Sequence, residues 1–206
     1  MISNASWQRL WRELGADPVP NGLYNQLVAA YSEPHRHYHT LQHLRACLAH
    51  LQAAASLAPH PAEVELALWF HDAIYDPRCG DNEERSAQWA WRSILAAGCG
   101  EDVAQRVQAL VLATRGHAES DDADTRLLLD IDLAILGAAP ARFDDYEDQI
   151  RAEYAHVPGP EFRARRAQVL ESFLERPRIY LTPAFHDALE HRARENLGRS
   201  LAALQG

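Results

Sequence analysis

The chain lacks the features that mark secreted and membrane-spanning proteins. Its three cysteines, Cys47, Cys79 and Cys99, are an odd number without C-x-x-C spacing, which argues against a disulfide framework and a cysteine-rich zinc site. The first residues form neither a basic segment nor an apolar run, so we expect no signal peptide. No charge-free stretch reaches the roughly 18 residues of a transmembrane helix. A reducing cytoplasm is the location that we expect.

Basic residues are also scarce, because Lys and Arg number 20 against 29 Asp and Glu, which gives a formal net charge of -9. Extended polyanions bind clustered cations, so we expect no extended nucleic-acid partner and no membrane partner. The 47% hydrophobic and 24% charged residues are typical of a folded globular protein. Histidine is abundant, with 11 residues against one methionine, and histidine is a common metal ligand and proton carrier.

Apolar residues recur with helical spacing along almost the whole chain, and no segment shows convincing strand alternation. Trp7, Leu10 and Trp11 begin this pattern, and a second helix is expected after Asn21, a residue type favoured as an N-cap. Glycines and prolines punctuate the later segments. The pattern predicts an all-α bundle of about ten helices that forms a single domain over residues 1–206.

Histidines are densest just before and within the third predicted helix, which should cover about residues 39–57. His39 and His43 are four residues apart, so on a helix they would share a face. A solvated, polar helix start is the alternative interpretation of this segment.

His71 and Asp72 interrupt the apolar run 66–75, which is predicted to be a buried helix. Burial of an ionised carboxylate is costly unless it is paired or binds a cation. Neighbouring positions lie about 100° apart around a helix, so both side chains can approach one point between them. A hydrogen-bonded core histidine and an arginine partner for Asp72 are the alternative.

A third interruption places Asp130 and Asp132 in an apolar helical segment. The two side chains point in different directions, so only one is expected to face the site, and the other would cap or pair elsewhere. Two histidines and two aspartates from three helices form a mixed nitrogen and oxygen donor set. Such a set suits a divalent ion of Mn, Fe, Co, Ni, Mg or Zn with positions open to water.

The order of His43, His71-Asp72 and a later helical aspartate resembles the HD superfamily of metal-dependent phosphohydrolases. These proteins are all-helical and bind a divalent metal through an H…HD…D motif. The resemblance covers about residues 31–136, the predicted metal-binding core, and leaves additional helices over residues 140–206. The stretches RHYHTLQHL, LWFHDAIYD and DIDLAILG are similar to an uncharacterised bacterial subgroup of HD phosphohydrolases.

This resemblance implies four metal ligands. His43 would be the first, and His71 and Asp72 would be the HD pair. Asp132 is preferred to Asp130 as the last, because the family's aspartate usually precedes a leucine that is followed by a second leucine three residues on.

The segment from Tyr38 to His43 is similar to the Y-H-N-x-x-H motif of cyclic-nucleotide phosphodiesterases. In those enzymes the first histidine protonates the leaving oxygen, which implies that His39 is the general acid, and Asp72 would hold the metal and orient the water. Thr40 replaces the asparagine of that motif, and the phosphodiesterase H-D-x-x-H-P-G motif does not follow at Asp72. Cyclic-nucleotide specificity is therefore not implied.

Two further residues are predicted to contact the substrate. Arg36 lies three residues before His39, and a guanidinium fork suits phosphate. His117 lies where several HD subgroups have a histidine that binds a second metal or the substrate, and a solvated loop histidine is the alternative.

The expected function is hydrolysis of a small, nucleotide-like phosphoester by metal-activated water. A divalent ion and one or two arginines can hold such a phosphate locally despite the acidic balance of the chain. Two alternatives remain: a di-iron oxygenase of HD-like fold, in which His117 would be a ligand, and a metal- or nucleotide-binding domain without turnover.

Overall fold

The computed structural model describes residues 2–20 and 22–205, and α-helices dominate this part of the chain, with no strand. Asn21, the expected N-cap of the second helix, lies outside the described residues. The prediction of an all-α chain with about ten helices is confirmed. The helices are α1 (Asn4–Glu13), α2 (Leu23–Ala30), α3 (Leu41–Ala54), α4 (Pro61–Phe70), α5 (Asn82–Ala96), α6 (Glu101–Ala113), α7 (Ala123–Asp132), α8 (Pro140–Glu153), α9 (Gly159–Leu174) and α10 (Pro183–Gln205).

The chain divides into two compact units, the first ending at Leu128 and the second beginning at Leu129. The assignment of the whole chain to a single domain stays a prediction. Short 3-10 helices follow α3 at Ala55–Leu57 and α7 at Leu133–Gly137. Among the described residues, none of the helices combines the length and the hydrophobicity that crossing a bilayer requires.

The most buried helix of the first unit is α4. Pro61 occupies its first turn, where a missing backbone N–H breaks no helical hydrogen bond. Trp69 packs edge-on against Trp7 of α1, with ring centroids 4.9 Å apart. Glu63 accepts two hydrogen bonds of 2.7 Å from Arg106 of α6. These contacts fix α4 between α1 and α6, and the HD pair directly follows its C-terminal end.

The helix ends near the HD pair differ from the prediction. Thr40 is the N-cap of α3, and its hydroxyl accepts a hydrogen bond of 3.2 Å from the N–H of Gln42, so the helix begins at Leu41. Helix α4 ends at Phe70, and His71 is its C-cap. The HD pair therefore follows a buried helix and does not interrupt one.

Side chains that bind backbone groups organise the second unit around α10. Glu190 accepts hydrogen bonds of 3.0 to 3.1 Å from the N–H groups of Ile179 and Tyr180. Asn196 donates a hydrogen bond of 2.9 Å to the carbonyl of Leu136. These bonds satisfy buried polar groups at the ends of regular elements, which would otherwise lose their hydration without compensation.

Candidate metal centre

Two buried imidazoles meet inside the first unit. His43 lies in the first turn of α3 and is 4% exposed, and His71 follows α4 and is 1% exposed. Their Nε2 atoms are 3.0 Å apart. Two lone pairs at this distance repel each other, so a proton or a metal cation has to lie between or beside them.

A backbone hydrogen bond fixes the orientation of the His71 ring. Its Nδ1 lies 2.8 Å from the carbonyl oxygen of Leu68. A carbonyl can only accept, so Nδ1 carries a hydrogen, and when the ring is neutral the lone pair lies on Nε2. Metal-binding histidines are usually held in this way, with the second ring nitrogen donating to a carbonyl or a carboxylate.

Asp72 brings a carboxylate to the same two nitrogens. Its Oδ2 lies 3.0 Å from Nε2 of His71 and 3.4 Å from Nε2 of His43, and its side chain is 19% exposed. The C-terminal end of a helix carries partial negative charge, which disfavours a carboxylate just beyond α4. A cation beside Asp72 removes that conflict.

The charge state of Asp72 follows from these neighbours. Burial alone raises the pKa of this carboxyl group, but the positive charges of His71 and His39 and hydrogen bonds from His43 and His71 lower it by more. The net result is a pKa well below the usual range of an aspartate. The carboxylate is therefore ionised near neutral pH and is available as a metal ligand.

The distances between these donor atoms fit a bound ion. The two Nε2 atoms of His43 and His71 and Oδ2 of Asp72 form a triangle with edges of 3.0, 3.0 and 3.4 Å. With metal–ligand bonds of about 2.0–2.1 Å, donors separated by about 90° lie about 3.0 Å apart, and those separated by about 109° lie about 3.4 Å apart. The triangle matches three adjacent positions around one divalent ion.

Cys47 is a residue of this cluster that the sequence analysis missed. Its thiol is buried, and its Sγ lies 3.7 Å from each ring nitrogen of His43. The donor atoms of His43, Cys47 and His71 all lie within 4.8 Å of one another, so these residues could hold a metal ion. The i, i+4 spacing of His43 and Cys47 on α3 was the available signal. Cysteine on an apolar helix face is also an ordinary core residue, which hid that signal.

The two aspartates of α7 have different environments. Asp130 is buried and accepts hydrogen bonds from the N–H groups of Leu181 and Thr182, both at 2.7 Å, and from the Thr182 hydroxyl at 2.5 Å. Both of its carboxylate oxygens therefore bind the segment before α10. Asp132 is the half-buried last residue of α7 in the second unit. Its role as a metal ligand stays a prediction.

The structure uses Arg36 to fix the backbone around the HD pair. Its guanidinium is buried, and Nη1 donates to the carbonyls of Asp72 at 2.6 Å and His39 at 3.2 Å. Nη2 donates to the carbonyl of Ala73 at 3.1 Å, and Nε donates to the Glu33 carboxylate at 2.9 Å. These bonds support a positioning role. The expected contact of Arg36 with a phosphate stays a prediction.

His39 lies beside the cluster in the turn that precedes α3. The expectation that His39 and His43 share a helix face is wrong, because the helix begins after the Thr40 N-cap. The turn nevertheless brings the two rings to a centroid distance of 5.9 Å. The half-buried His39 ring also stacks on Tyr75, with centroids 4.2 Å apart. This stacking holds the imidazole at the edge of the cluster.

His117 is half-buried in the turn after α6, and its N–H donates to the carbonyl of Ala113 at 3.3 Å. Its φ of 47° lies in the left-handed region, which few residues other than glycine adopt. The predicted contact of His117 with the substrate or a second metal stays a prediction.

Comparison of the chain with protein-family models, with curated proteins and with solved structures finds no match. The likeness to HD phosphohydrolases therefore rests on the residues quoted above. The structure is compatible with that likeness in its coarser part, an all-helical chain with a buried cluster able to hold a metal ion.

Proposed function

We propose that this protein is a metal-dependent phosphohydrolase that acts on a small, nucleotide-like phosphoester. The observation that carries the proposal is the triangle formed by Nε2 of His43, Nε2 of His71 and Oδ2 of Asp72. Three donors at such distances, with an ionised carboxylate among them, are typical of a catalytic metal site with positions open to water. The H…HD…D resemblance supports Asp132 as a further ligand.

A divalent ion at this triangle supplies Lewis acidity, which lowers the pKa of a bound water and polarises a phosphoryl oxygen. Asp72 has two tasks in the proposal. One carboxylate oxygen faces the imidazole pair, and the carboxylate also orients the attacking water by accepting its hydrogen bond. The hydrogen bond that Nδ1 of His71 donates to the Leu68 carbonyl holds the ring so that Nε2 would face the ion.

His39 acts as the general acid that protonates the leaving oxygen. Its ring lies next to that of His43 and is stacked on Tyr75. A proton donor next to a residue that would hold the ion could reach the leaving oxygen of a phosphoester bound there. Imidazole can both take up and release a proton in the neutral pH range, which suits this task.

The experiment is metal analysis of the purified protein, followed by assays of the metal-loaded protein on phosphomonoesters and phosphodiesters, nucleotides included. We expect turnover that Asp72→Asn abolishes together with most of the bound metal. His39→Gln should lower the turnover number by about 10²-fold or more and leave metal content unchanged, as expected for loss of general acid catalysis. The matched control is His37→Gln, which changes an exposed histidine two residues away. The proposal fails if the metal-loaded protein hydrolyses none of these esters and Asp72→Asn retains its metal.

A further inference from the structure

His39, the proposed general acid, lies in a turn and not on a helix, so tertiary contacts have to fix the direction of its ring. We propose that Tyr75, in the turn after α4, is the residue that positions the His39 imidazole for proton transfer to the leaving oxygen. This inference rests on the proposed function. It adds a positioning residue that the H…HD…D pattern does not contain.

The phenol ring of Tyr75 covers one face of the His39 imidazole. The two ring centroids are 4.2 Å apart, and the ring planes meet at 30°. This separation is at the short end of stacked aromatic pairs, so the two rings are in contact. The nitrogens of an imidazole lie on its edge. A face contact therefore holds the ring without itself occupying a position that carries the proton.

A second tyrosine restricts the same imidazole from another direction. The ring of Tyr38 meets that of His39 at 81°, with centroids 4.9 Å apart, and Tyr38 is 6% exposed. Tyr38 is the chain neighbour of His39, so it belongs to the same turn. Tyr75 comes from the turn that also carries Asp72. The stack on Tyr75 is therefore the contact that ties the acid to the HD pair.

Tyr75 is itself held in place by the turn that carries His39. Nε2 of His35 lies 2.7 Å from the Tyr75 carbonyl oxygen and donates a hydrogen bond to it, because a carbonyl can only accept. The guanidinium carbon of the buried Arg36 lies 5.5 Å from the centroid of the Tyr75 ring. Backbone and ring are thus both contacted, which makes the phenol a fixed support for the imidazole.

The support matters because proton transfer depends on distance. In the proposed reaction water adds to phosphorus, the bond to the leaving oxygen breaks, and that oxygen takes the proton of His39, which regains one from solvent. The acid has to be within hydrogen-bond reach of the leaving oxygen. A misplacement of about 1 Å can lower the rate by about 10²-fold. A His39 ring that turns freely would lose this reach.

The leaving group decides how much a positioned acid contributes. An alkoxide is a strong base and departs readily only when it is protonated, whereas p-nitrophenolate is a weak base and departs without a proton. Loss of the His39 position should therefore slow the hydrolysis of alkyl esters and have little effect on p-nitrophenyl esters. A smaller fraction of folded protein would slow both classes of ester equally, so the contrast separates positioning from stability.

The first test compares turnover of the metal-loaded protein on these two classes. The monoester pair is adenosine monophosphate and p-nitrophenyl phosphate, and the diester pair is a dinucleotide and bis(p-nitrophenyl) phosphate. We expect Tyr75→Leu to lower kcat for the alkyl esters by about 10²-fold, with KM and metal content unchanged. Its kcat for the p-nitrophenyl esters should stay within about threefold of the wild type. Tyr75→Phe retains the ring and should match the wild type on both classes.

The second unit contains a matched control. Tyr154 is half-buried and stacks on His156, with centroids 6.0 Å apart and planes at 24°. Tyr154→Leu removes a comparable contact between a tyrosine and a histidine. We expect it to leave kcat unchanged on both classes of ester.

The second test does not depend on turnover. In the proton NMR spectrum of the zinc-loaded protein, the ring current of Tyr75 should shift the ring protons of His39 upfield of those of the exposed His37. His39→Gln and His37→Gln assign the two sets of signals. The upfield shift should persist in Tyr75→Phe and be lost in Tyr75→Leu.

The possible failures have different meanings. If the wild type lacks the upfield shift, or if Tyr75→Leu slows both classes of ester equally or neither of them, Tyr75 does not position the acid, and the proposed function stands. If the wild type hydrolyses no ester of either class, the proposed function is wrong, and the positioning role is wrong with it. The wild-type spectrum decides the question even if Tyr75→Leu does not fold.

Discussion

The guanidinium of Arg36 donates a 2.6 Å hydrogen bond to the backbone carbonyl of Asp72. This bond joins the turn before α3, which carries His39, to the turn after α4, which carries the HD pair. The charged donor satisfies backbone carbonyls of the turn that follows α4. The geometry of the candidate centre therefore depends on a residue that contributes no donor atom to it.

Replacement of Arg36 should disturb both stability and metal binding. Arg36→Ala leaves the Asp72 and Ala73 carbonyls without this donor, so we expect the free energy of unfolding to fall by about 3 kcal/mol. Zinc affinity should fall by about tenfold or more, because the HD pair loses its fixed position. Chemical denaturation and a zinc titration check the two effects. Arg45→Ala, an exposed position on α3, is the control and should change neither quantity.

A phosphate-binding role for Arg36 predicts a different result. In that case Arg36→Lys would keep the metal affinity of the wild type and raise the Michaelis constant for phosphoesters. The positioning role predicts that Arg36→Lys already lowers metal affinity, because a single ammonium group cannot reach the carbonyls that the guanidinium fork spans.

Tyr31 should make the first unit sensitive to alkaline pH. Burial raises the pKa of its phenol to about 12, with smaller opposing effects of nearby His71 and Asp72, and its hydroxyl donates to the Leu68 carbonyl at 3.4 Å. The folded state therefore holds this proton more tightly than the unfolded chain. The stabilisation is complete below the unfolded pKa of about 10 and is lost as pH rises from there through about 12, in total about 2–3 kcal/mol.

The measurement for Tyr31 is urea denaturation of the wild type and of Tyr31→Phe at several pH values above 9. We expect the free energy of unfolding of the wild type to fall as pH rises from about 10 through about 12. The free energy of unfolding of Tyr31→Phe should fall less steeply over the same range. Tyr24→Phe, at a half-buried tyrosine of α2, should decline like the wild type. Parallel curves for Tyr31→Phe and the wild type would contradict the prediction.

Thr40 should contribute to stability as the N-cap of α3. Thr40→Ala removes the acceptor for the Gln42 N–H, so the free energy of unfolding should fall by about 1 kcal/mol. Thr40→Asn supplies another good N-cap and should stay within a few tenths of a kcal/mol of the wild type. Thermal denaturation of both variants checks this. Equal loss in the two variants would show that the hydroxyl acts in some other way.

Substitution of the two aspartates of α7 should have different effects, one on stability and the other on metal binding. Asp130→Asn weakens the charge-assisted bonds to Leu181 and Thr182, so we expect lower stability with unchanged metal content. Asp132→Asn should lower metal content, as the H…HD…D pattern predicts. Metal analysis after dialysis and thermal denaturation give the two readouts. Metal loss in Asp130→Asn alone would reverse the assignment of the last ligand.

Helical periodicity predicted most of the fold, because apolar spacing and the prolines and glycines between helices are local signals. The end of α4 was not predicted, since Ala73 and Ile74 continue the apolar pattern. Tertiary hydrogen bonds replace the helical ones after Phe70. Arg36 donates a hydrogen bond to the Ala73 carbonyl, and the Ile74 N–H donates to the Ser86 hydroxyl at 3.0 Å. Such partners are distant in sequence, so a periodicity argument does not include them.

In the candidate site, too, local sequence signals predicted some residues, and contacts that depend on tertiary structure were missed. His43, His71 and Asp72 were predicted because polar residues among apolar neighbours are conspicuous, and the structure brings their donor atoms together. Cys47 was missed because a cysteine among leucines resembles a core residue. The sequence analysis predicted a phosphate contact for Arg36 and did not predict its hydrogen bonds to backbone carbonyls. Tertiary structure alone brings the carbonyls of Asp72 and Ala73 to this side chain.

The complete enclosure of Cys47 has a kinetic consequence. A reagent that alkylates thiols reaches this sulfur only while α3 is transiently detached, so its labelling rate reports how often that helix opens. The exposed Cys79 reacts without any such opening and provides the reference rate in the same molecule. A bound ion that bridges α3 and the turn after α4 would slow the labelling of Cys47 and leave that of Cys79 unchanged. The thiol is thus a built-in reporter of the opening motion at the centre of the first unit.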